Sequence, residues 1–247
     1  MIEDPHTGIA VLETNPAEDE AVHATPDPLT IPVPGTTQGT PASNAPGKTS
    51  SRAARKTRGL IVTAALDTFM HYGYHRTTLE LIAKEAGLSR TSLYHHFRNK
   101  EEIFVAAVEN INIDIIKRAQ KAARSALPIE DKICAILECK LGFHVDLMGS
   151  NRHRDELLHE GMRLAGDLIG DTRTKLEKLT TRAINDAIHL GELDLRSADC
   201  SASELANLIY IGVTGLYHEF DQNSDKQTFH KNLWRLVRLM IDHLIRR

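Results

Sequence analysis

Three helix-start signals follow one another in TTLELIAKEAGLSRTSLYHHFRNKEEIF, residues 77–104. Thr77 with Glu80 reads as a capping box, Ser89 as a second N-cap, and Asn99 with Glu102 as a third cap of the box type. This spacing allows one short helix to about Glu85, a second to about Phe97, and then the start of a long one. Gly87 supplies the left-handed backbone that a sharp turn between the first two requires. The pattern builds a helix-turn-helix, whose second helix is shaped to enter a DNA major groove.

Helical signals continue on both sides. Ile61, Ala65, Leu66 and Phe69 share one helical face, and Gly73 stands where a C-cap belongs after Tyr72. From Asn99 no breaker appears until Pro128, which predicts a fourth helix of roughly 26 residues and about 40 Å. Ile103, Ala107, Ile111 and Ile115 lie along one side of it. Further helices are expected at about 129–148, 154–165 and 170–190, the last followed by Gly191. Ser201 with Glu204 caps another, to about Gln222, and residues 226–246 form the last. There is no strand-like alternation of useful length and no internal repeat. The expected fold is all-α.

Charge is distributed unevenly. Residues 1–47 carry seven acids and no Lys or Arg, eight of the nine prolines, and no Phe, Tyr or Trp. Such a segment cannot bury enough apolar surface to offset its ordering entropy, so residues 1–50 are expected to be a disordered tail. Residues 48–58, KTSSRAARKTR, read as a basic linker, either laid along a phosphate backbone or solvated. Residues 48–100 hold ten Lys and Arg against Asp67, Glu80 and Glu85. That balance suits a polyanion, because neutralising phosphates releases counterions; a merely solvated basic surface fits the charge equally well. Cys134, Cys139 and Cys200 are too few and too scattered for a disulfide framework or a zinc site. No run of eighteen apolar residues is present, and Glu3 and Asp4 have the wrong sign for a secretory signal. A cytoplasmic protein without membrane contact is the expectation.

Within the helix-turn-helix, Ile82, Ala83, Leu88, Leu93 and Phe97 should turn inward against Ala65 and Phe69. Arg90, Thr91, Ser92, Tyr94 and His95 then remain outward. Arg90, in the first turn, is placed to bridge O6 and N7 of a guanine, and Thr91 and Ser92 to meet a thymine methyl or a phosphate. Tyr94 and His95 suit backbone oxygens. Thr78 and Lys100 sit at helix N-termini, where amides and dipole favour a phosphate.

The run from Gly73 to Phe104, with GY, TT, IA, AGLS, LYHHF and NKEE in order, resembles the TetR/AcrR family of transcriptional regulators. The first helix from Arg58 fits too, so the resemblance covers residues 58–104. Thr91 departs from it, since many members have glycine there; this bears on base contacts and not on the fold. The resemblance implies a helix-turn-helix DNA-binding domain over 51–98 and an α-helical effector-binding and dimerisation domain over 99–247. It also places Thr78, Arg90, Thr91, Tyr94, His95 and Lys100 at DNA-contacting positions. The partners implied are double-stranded DNA, a small-molecule effector and a second copy of the chain; no cofactor or metal is expected.

Leu205, Leu208, Ile209, Gly212, Gly215, Leu216 and Phe220 form one apolar face and Leu233, Val237, Met240 and Leu244 another, and a core within one chain would explain both. The resemblance favours a four-helix bundle between two subunits, with Leu205, Ile209, Gly212, Leu216, Leu233, Val237, Met240 and Leu244 at the interface. Phe143, His144, Leu147, Met148 and Met162 combine apolar lining with a polar group, as small-molecule sites do, and are the expected ligand pocket. The segment 148–156 reads as a loop bordering its entrance. The expected mechanism is a tilt of the long helix from Asn99 on ligand binding, which drives the two reading helices apart. Repression is expected, activation being the alternative within the family.

Two rival classes fare worse. His159-Glu160 begins like a zinc-protease helix, but position 163 is Arg where a second His is required, and no nucleotide-binding fingerprint or nucleophile elbow is present, so no enzyme is expected. A metal-responsive variant would use His144, His153 and His159. A non-specific architectural DNA-binding protein would have no use for the roughly 140 residues that follow the reading unit.

Overall fold

The computed structural model describes residues 48–149, 151–219 and 225–245, without the side chains of 48–51, 147 and 148. The acidic tail expected over residues 1–50 lies outside this description except for Lys48–Ser50, which are helical. The described residues belong to one compact unit, Ala45–Arg247.

The described residues form eight α-helices: α1 (Lys48–Tyr72), α2 (Leu79–Glu85), α3 (Arg90–Tyr94), α4 (Lys100–Ala123), α5 (Ile129–Met148), α6 (Arg154–His189), α7 (Ala202–His218) and α8 (Lys226–Ile241). A 3-10 turn, Asp242–Leu244, ends the described chain, and one isolated bridge joins Leu193 to Ile245. Residues 48–58, expected as a linker, are instead the first turns of α1. Ala53, Ala54 and the five basic residues Lys48, Arg52, Arg55, Lys56 and Arg58 are good helix formers, so this stretch extends the amphipathic helix behind it.

The caps explain most boundaries. Ser89 Oγ accepts from Ser92 N at 3.1 Å, Asn99 Oδ1 from Glu102 N at 2.8 Å, and Ser201 with Glu204 closes a full capping box. The first cap falls one residue later than expected. Thr77 is buried and donates its hydroxyl to Gly73 O at 2.6 Å, leaving Thr78 Oγ1 to cap α2 by accepting from Leu81 N at 3.3 Å. The two helices expected at 154–165 and 170–190 are continuous as α6, interrupted only at Ala165, where φ −136° and ψ 25° kink the axis.

Two hydrophobic cores result. The smaller joins Ile61, Ala65 and Phe69 of α1 to Ile82, Leu93 and Phe97. The larger lies among α5, the second part of α6, α7 and α8. α4 belongs to both, burying Ile103, Phe104 and Ala107 in the first and Ile115 and Ala119 in the second. Its 24 residues give a rod of about 36 Å. No helix among the described residues is long and apolar enough to cross a membrane.

Candidate nucleic-acid interface

Leu93 and Phe97 are almost fully buried, so α3 has only one orientation against α1 and α2. The turn before it is closed by Leu88 N donating to Ala83 O at 2.9 Å, with Gly87 at φ +66°. Regular helix ends at Tyr94, short of the expected Phe97; the last turn tightens, His96 N donating to Leu93 O at 2.9 Å. Arg90, Thr91, Tyr94 and His95 stand exposed, with Ser92 half-buried beside them.

Arg90 is pre-set by two neighbours. Its guanidinium pairs with the Glu80 carboxylate and donates to Tyr94 Oη at 3.3 Å. Both members of the Arg90–Glu80 pair are more than half exposed, so the pair is worth little and can open at small cost. Lys100 differs from its expected role. Its ammonium turns back onto the carbonyls of Tyr74 at 2.7 Å and His75 at 3.3 Å and lies 4.3 Å from the Tyr74 ring centroid. Burial lowers its pKa, and these two bonds use two of its three protons. Sequence reasoning missed Arg58, which stacks 4.1 Å over the Phe97 ring and donates to His96 O at 3.3 Å. Arg58 thus ties the basic helix α1 to the end of α3.

The turn between α1 and α2 is also gripped from the regulatory half. Asn151 Nδ2 donates to Met70 O at 2.9 Å, Arg152 Nη2 to His71 O at 3.2 Å, and His75 N to Glu156 Oε1 at 2.7 Å. Leu157, two residues further along α6 than Asp155, is buried in the smaller core. The segment expected to border a pocket is therefore a clamp on the reading unit. Gly73 makes the approach possible: at φ +81°, a Cβ there would stand 2.4 Å from Glu156 Oε2. Gly73→Ala should lower stability by about 2 kcal/mol through backbone strain and this clash, read as a lower urea midpoint with the slope unchanged.

The other expected site residues lie on α5 to α8 and in the 3-10 turn that follows. Leu205, Ile209, Leu233, Val237 and Leu244, expected between subunits, are buried within this one chain. Gly212 faces Leu236 and Met240, letting α7 and α8 approach, and Leu216 packs on the larger core. These stripes are inward faces. Outward on α7 and α8 are Leu208, Ile211 and Leu239, at 51%, 54% and 70% exposure, with Gly215 exposed on the same face of α7; Leu208 and Gly215 belong to the expected apolar face of α7.

Of the expected pocket residues, Phe143 is half-buried under the Arg118 guanidinium at 5.3 Å, and His144 has its Nδ1 shut off from solvent. Met162 is 61% exposed; the side chains of Leu147 and Met148 lie outside the described residues. A depression of about 630 Å³ between α4 and α6, floored by Ile116, Leu168 and Leu179, includes none of the expected residues. Among the described residues no three His, Cys, Asp or Glu side chains converge on a metal position. Cys134 and Cys139 are free thiols, and burial raises the pKa of both, that of Cys139 to about 11.

Comparison with known proteins agrees with this geometry. Residues 61–107 match the model of the bacterial regulatory proteins, tetR family. The HTH-type transcriptional regulator RutR of Escherichia coli K12 is 34% identical over 129 residues, which are 52% of this chain and 60% of RutR. The chain thus spans less than two thirds of that relative's length. The HTH-type transcriptional regulator YhgD of Bacillus subtilis is 32% identical over 169 residues, 68% of this chain and 88% of YhgD. Among solved structures, SmeT, the repressor of the Stenotrophomonas maltophilia multidrug efflux pump SmeDEF, superposes with a TM-score of 0.57. It is 21% identical, over 78% of this chain and 92% of SmeT, a likeness of fold alone.

Proposed function

Because the chain belongs to the TetR family of bacterial regulatory proteins, we propose that it is a ligand-responsive transcriptional repressor that binds a palindromic operator as a homodimer. The observation that carries this reading is α3. Its apolar side is locked into the smaller core, and its outward side offers Arg90, Thr91, Ser92, Tyr94 and His95 to a groove. In the proposed complex Arg90 leaves Glu80 for a guanine edge, Thr91 and Ser92 meet neighbouring bases or phosphates, and Thr78, Tyr94 and His95 hold backbone oxygens. Lys100 serves mainly to brace the α1–α2 turn, with its remaining proton for a phosphate.

One reading unit spans too few bases for a specific site, so two must act together, about 34 Å apart. The surface proposed to join them is the outward face of α7 and α8, with Leu208, Ile211 and Leu239 apolar and Gly215 allowing close approach. Effector binding would reach the DNA by two routes. One is α4, which is packed into both cores; the other is the head of α6, whose clamp lies before the kink at Ala165. A ligand moves these elements only by binding the two arrangements unequally.

Selection from a random duplex pool tests the reading: it should recover an inverted repeat with half-site centres one helical turn apart, whereas a pool without enrichment would sink it. Glu156→Ala tests the route through α6. His75 is exposed, so water replaces the lost carboxylate, and unliganded operator affinity should stay within about threefold. The effector's influence on that affinity, ordinarily about 5–150-fold, should shrink several-fold. An undiminished effector response in this variant would remove the clamp from the mechanism.

A further inference from the structure

Inside the regulatory half, α5 and α7 bring together four polar side chains, two of which have a buried atom without a hydrogen-bond partner among the described residues. Lys140 and His144 lie one turn apart on α5, and Tyr210 and Tyr217 lie two turns apart on α7. Lys140 is 8% exposed, and its ammonium donates to the Tyr210 hydroxyl at 3.2 Å. Among the described residues no carboxylate lies within ion-pair distance of it. The charges that act on it come from Arg173 and Glu177 of α6, and these two pair with each other at 2.8 Å. The His144 Nδ1 and the Tyr217 hydroxyl are both shut off from solvent and, among the described residues, have no hydrogen-bond partner; their rings are 6.1 Å apart. Arg154, in the first turn of α6, is buried with its guanidinium 5.3 Å from the Tyr217 ring centroid.

The protonation states suit donation. Burial, reinforced by the charge of Arg173, lowers Lys140 to about 8, so it remains a cation at neutral pH. Burial, then the charges of Lys140 and Arg154, pushes His144 down to about 4, leaving a neutral ring whose Nδ1 can carry a proton to donate. A buried ammonium beside two unused polar groups opposes folding unless something returns the lost hydrogen bonds. Among the described residues, the Lys140, His144 and Tyr217 set has no anion of its own.

We propose that the Lys140–His144–Tyr217 cluster is the effector seat and takes a small organic carboxylate with an apolar body. Its two oxygens receive the Lys140 ammonium, the His144 Nδ1 proton and the Tyr217 hydroxyl. The two oxygens of a carboxylate can accept all three of these hydrogen bonds, the one from the ammonium being charge-assisted. The Phe143 ring, 5.9 Å from that of His144, and the buried Leu141, Val145 and Val213 supply apolar surroundings for the body. The orphan atoms are closed to solvent, so the ligand enters only when α5, α6 and α7 part. Arg154, bordering the seat, shares its helical turn with Glu156 and Leu157, which hold the reading unit. Occupancy and the clamp are therefore mechanically joined. The inference rests on the ligand-responsive reading above.

The full-length protein is titrated with benzoate, phenylacetate and octanoate, each beside its own amide as the uncharged control. At least one carboxylate should raise the melting temperature by about 2–6 °C where its amide does not. Lys140→Met should weaken that carboxylate at least about tenfold and, without ligand, melt at the same temperature or higher, because a buried charge has gone. Carboxylate affinity should fall about tenfold or more between pH 7 and 9.5, as Lys140, facing Arg173, Glu177, Tyr210 and His144, loses its proton. Carboxylates that act no better than their amides overturn the assignment, as does a Lys140→Met protein that keeps the response or melts several degrees lower. Operator binding by the unliganded protein, measured in parallel, speaks only to the DNA-reading function, so failure of one reading is separable from failure of the other.

Discussion

Replacing Arg90 by alanine should reduce affinity for the selected operator by about 30- to 10⁴-fold while leaving binding to random duplex within about tenfold. The magnitude follows from counting. A bidentate arginine–guanine pair is worth about 1–3 kcal/mol, and a homodimer makes the contact twice, for about 2–6 kcal/mol in all. Arg90 is exposed and its ion pair with Glu80 is at the surface, so the substitution should change stability by less than about 0.5 kcal/mol. Loss of affinity with an unchanged melting curve is then a binding effect. The pattern across sequences matters as much as the size: discrimination at the guanine should vanish while other positions keep theirs. A uniform loss on every duplex would reassign Arg90 to a phosphate.

The second large effect is expected at the subunit surface. Ile211→Glu with Leu239→Glu should convert the protein to a folded monomer and lower operator affinity by about 10³-fold or more. Both positions are more than half exposed in the single chain, so the carboxylates leave the monomer's core intact. In a two-fold interface each acid appears twice and would be buried without a partner, which costs several kcal/mol per charge. A monomer then reads one half-site, losing the contribution of the other. Sedimentation measures the first consequence and operator titration the second. A double variant that remains dimeric would move the interface elsewhere. Leu205→Glu provides the contrast. Leu205 is buried in the larger core, so that change should unfold the regulatory half instead of parting two subunits.

The reading unit was legible because its signals are local. Ser89, Asn99 and Gly87 each act on backbone groups within a few residues, and the structure uses each as its position implied. The cap of α2 slipped by one because two threonines adjoin, and only the buried bond from Thr77 to Gly73 O distinguishes them. The stripes on α7 and α8 were legible as apolar faces but not as to what covers them. Periodicity reports that Leu233 and Val237 are buried; it does not say whether a neighbouring helix or a second subunit buries them. The residues left outside, Leu208, Ile211 and Leu239, lie one step around the same helices. The clamp was illegible for a different reason: Glu156 and His75 are 81 residues apart in sequence, and no local pattern joins them. The same holds for the Lys140–Tyr210 contact, 70 residues apart. A buried lysine on an otherwise helical face looks like an exposed one until the opposing helix is in place.

The central claim is that this chain reads a DNA sequence, not merely a DNA backbone. Its most direct test is the affinity of the wild-type protein for the selected palindrome and for a scrambled duplex of equal length, at physiological salt and without effector. The palindrome should bind at least about 10³-fold more tightly. Equal affinities for the two duplexes would contradict the account.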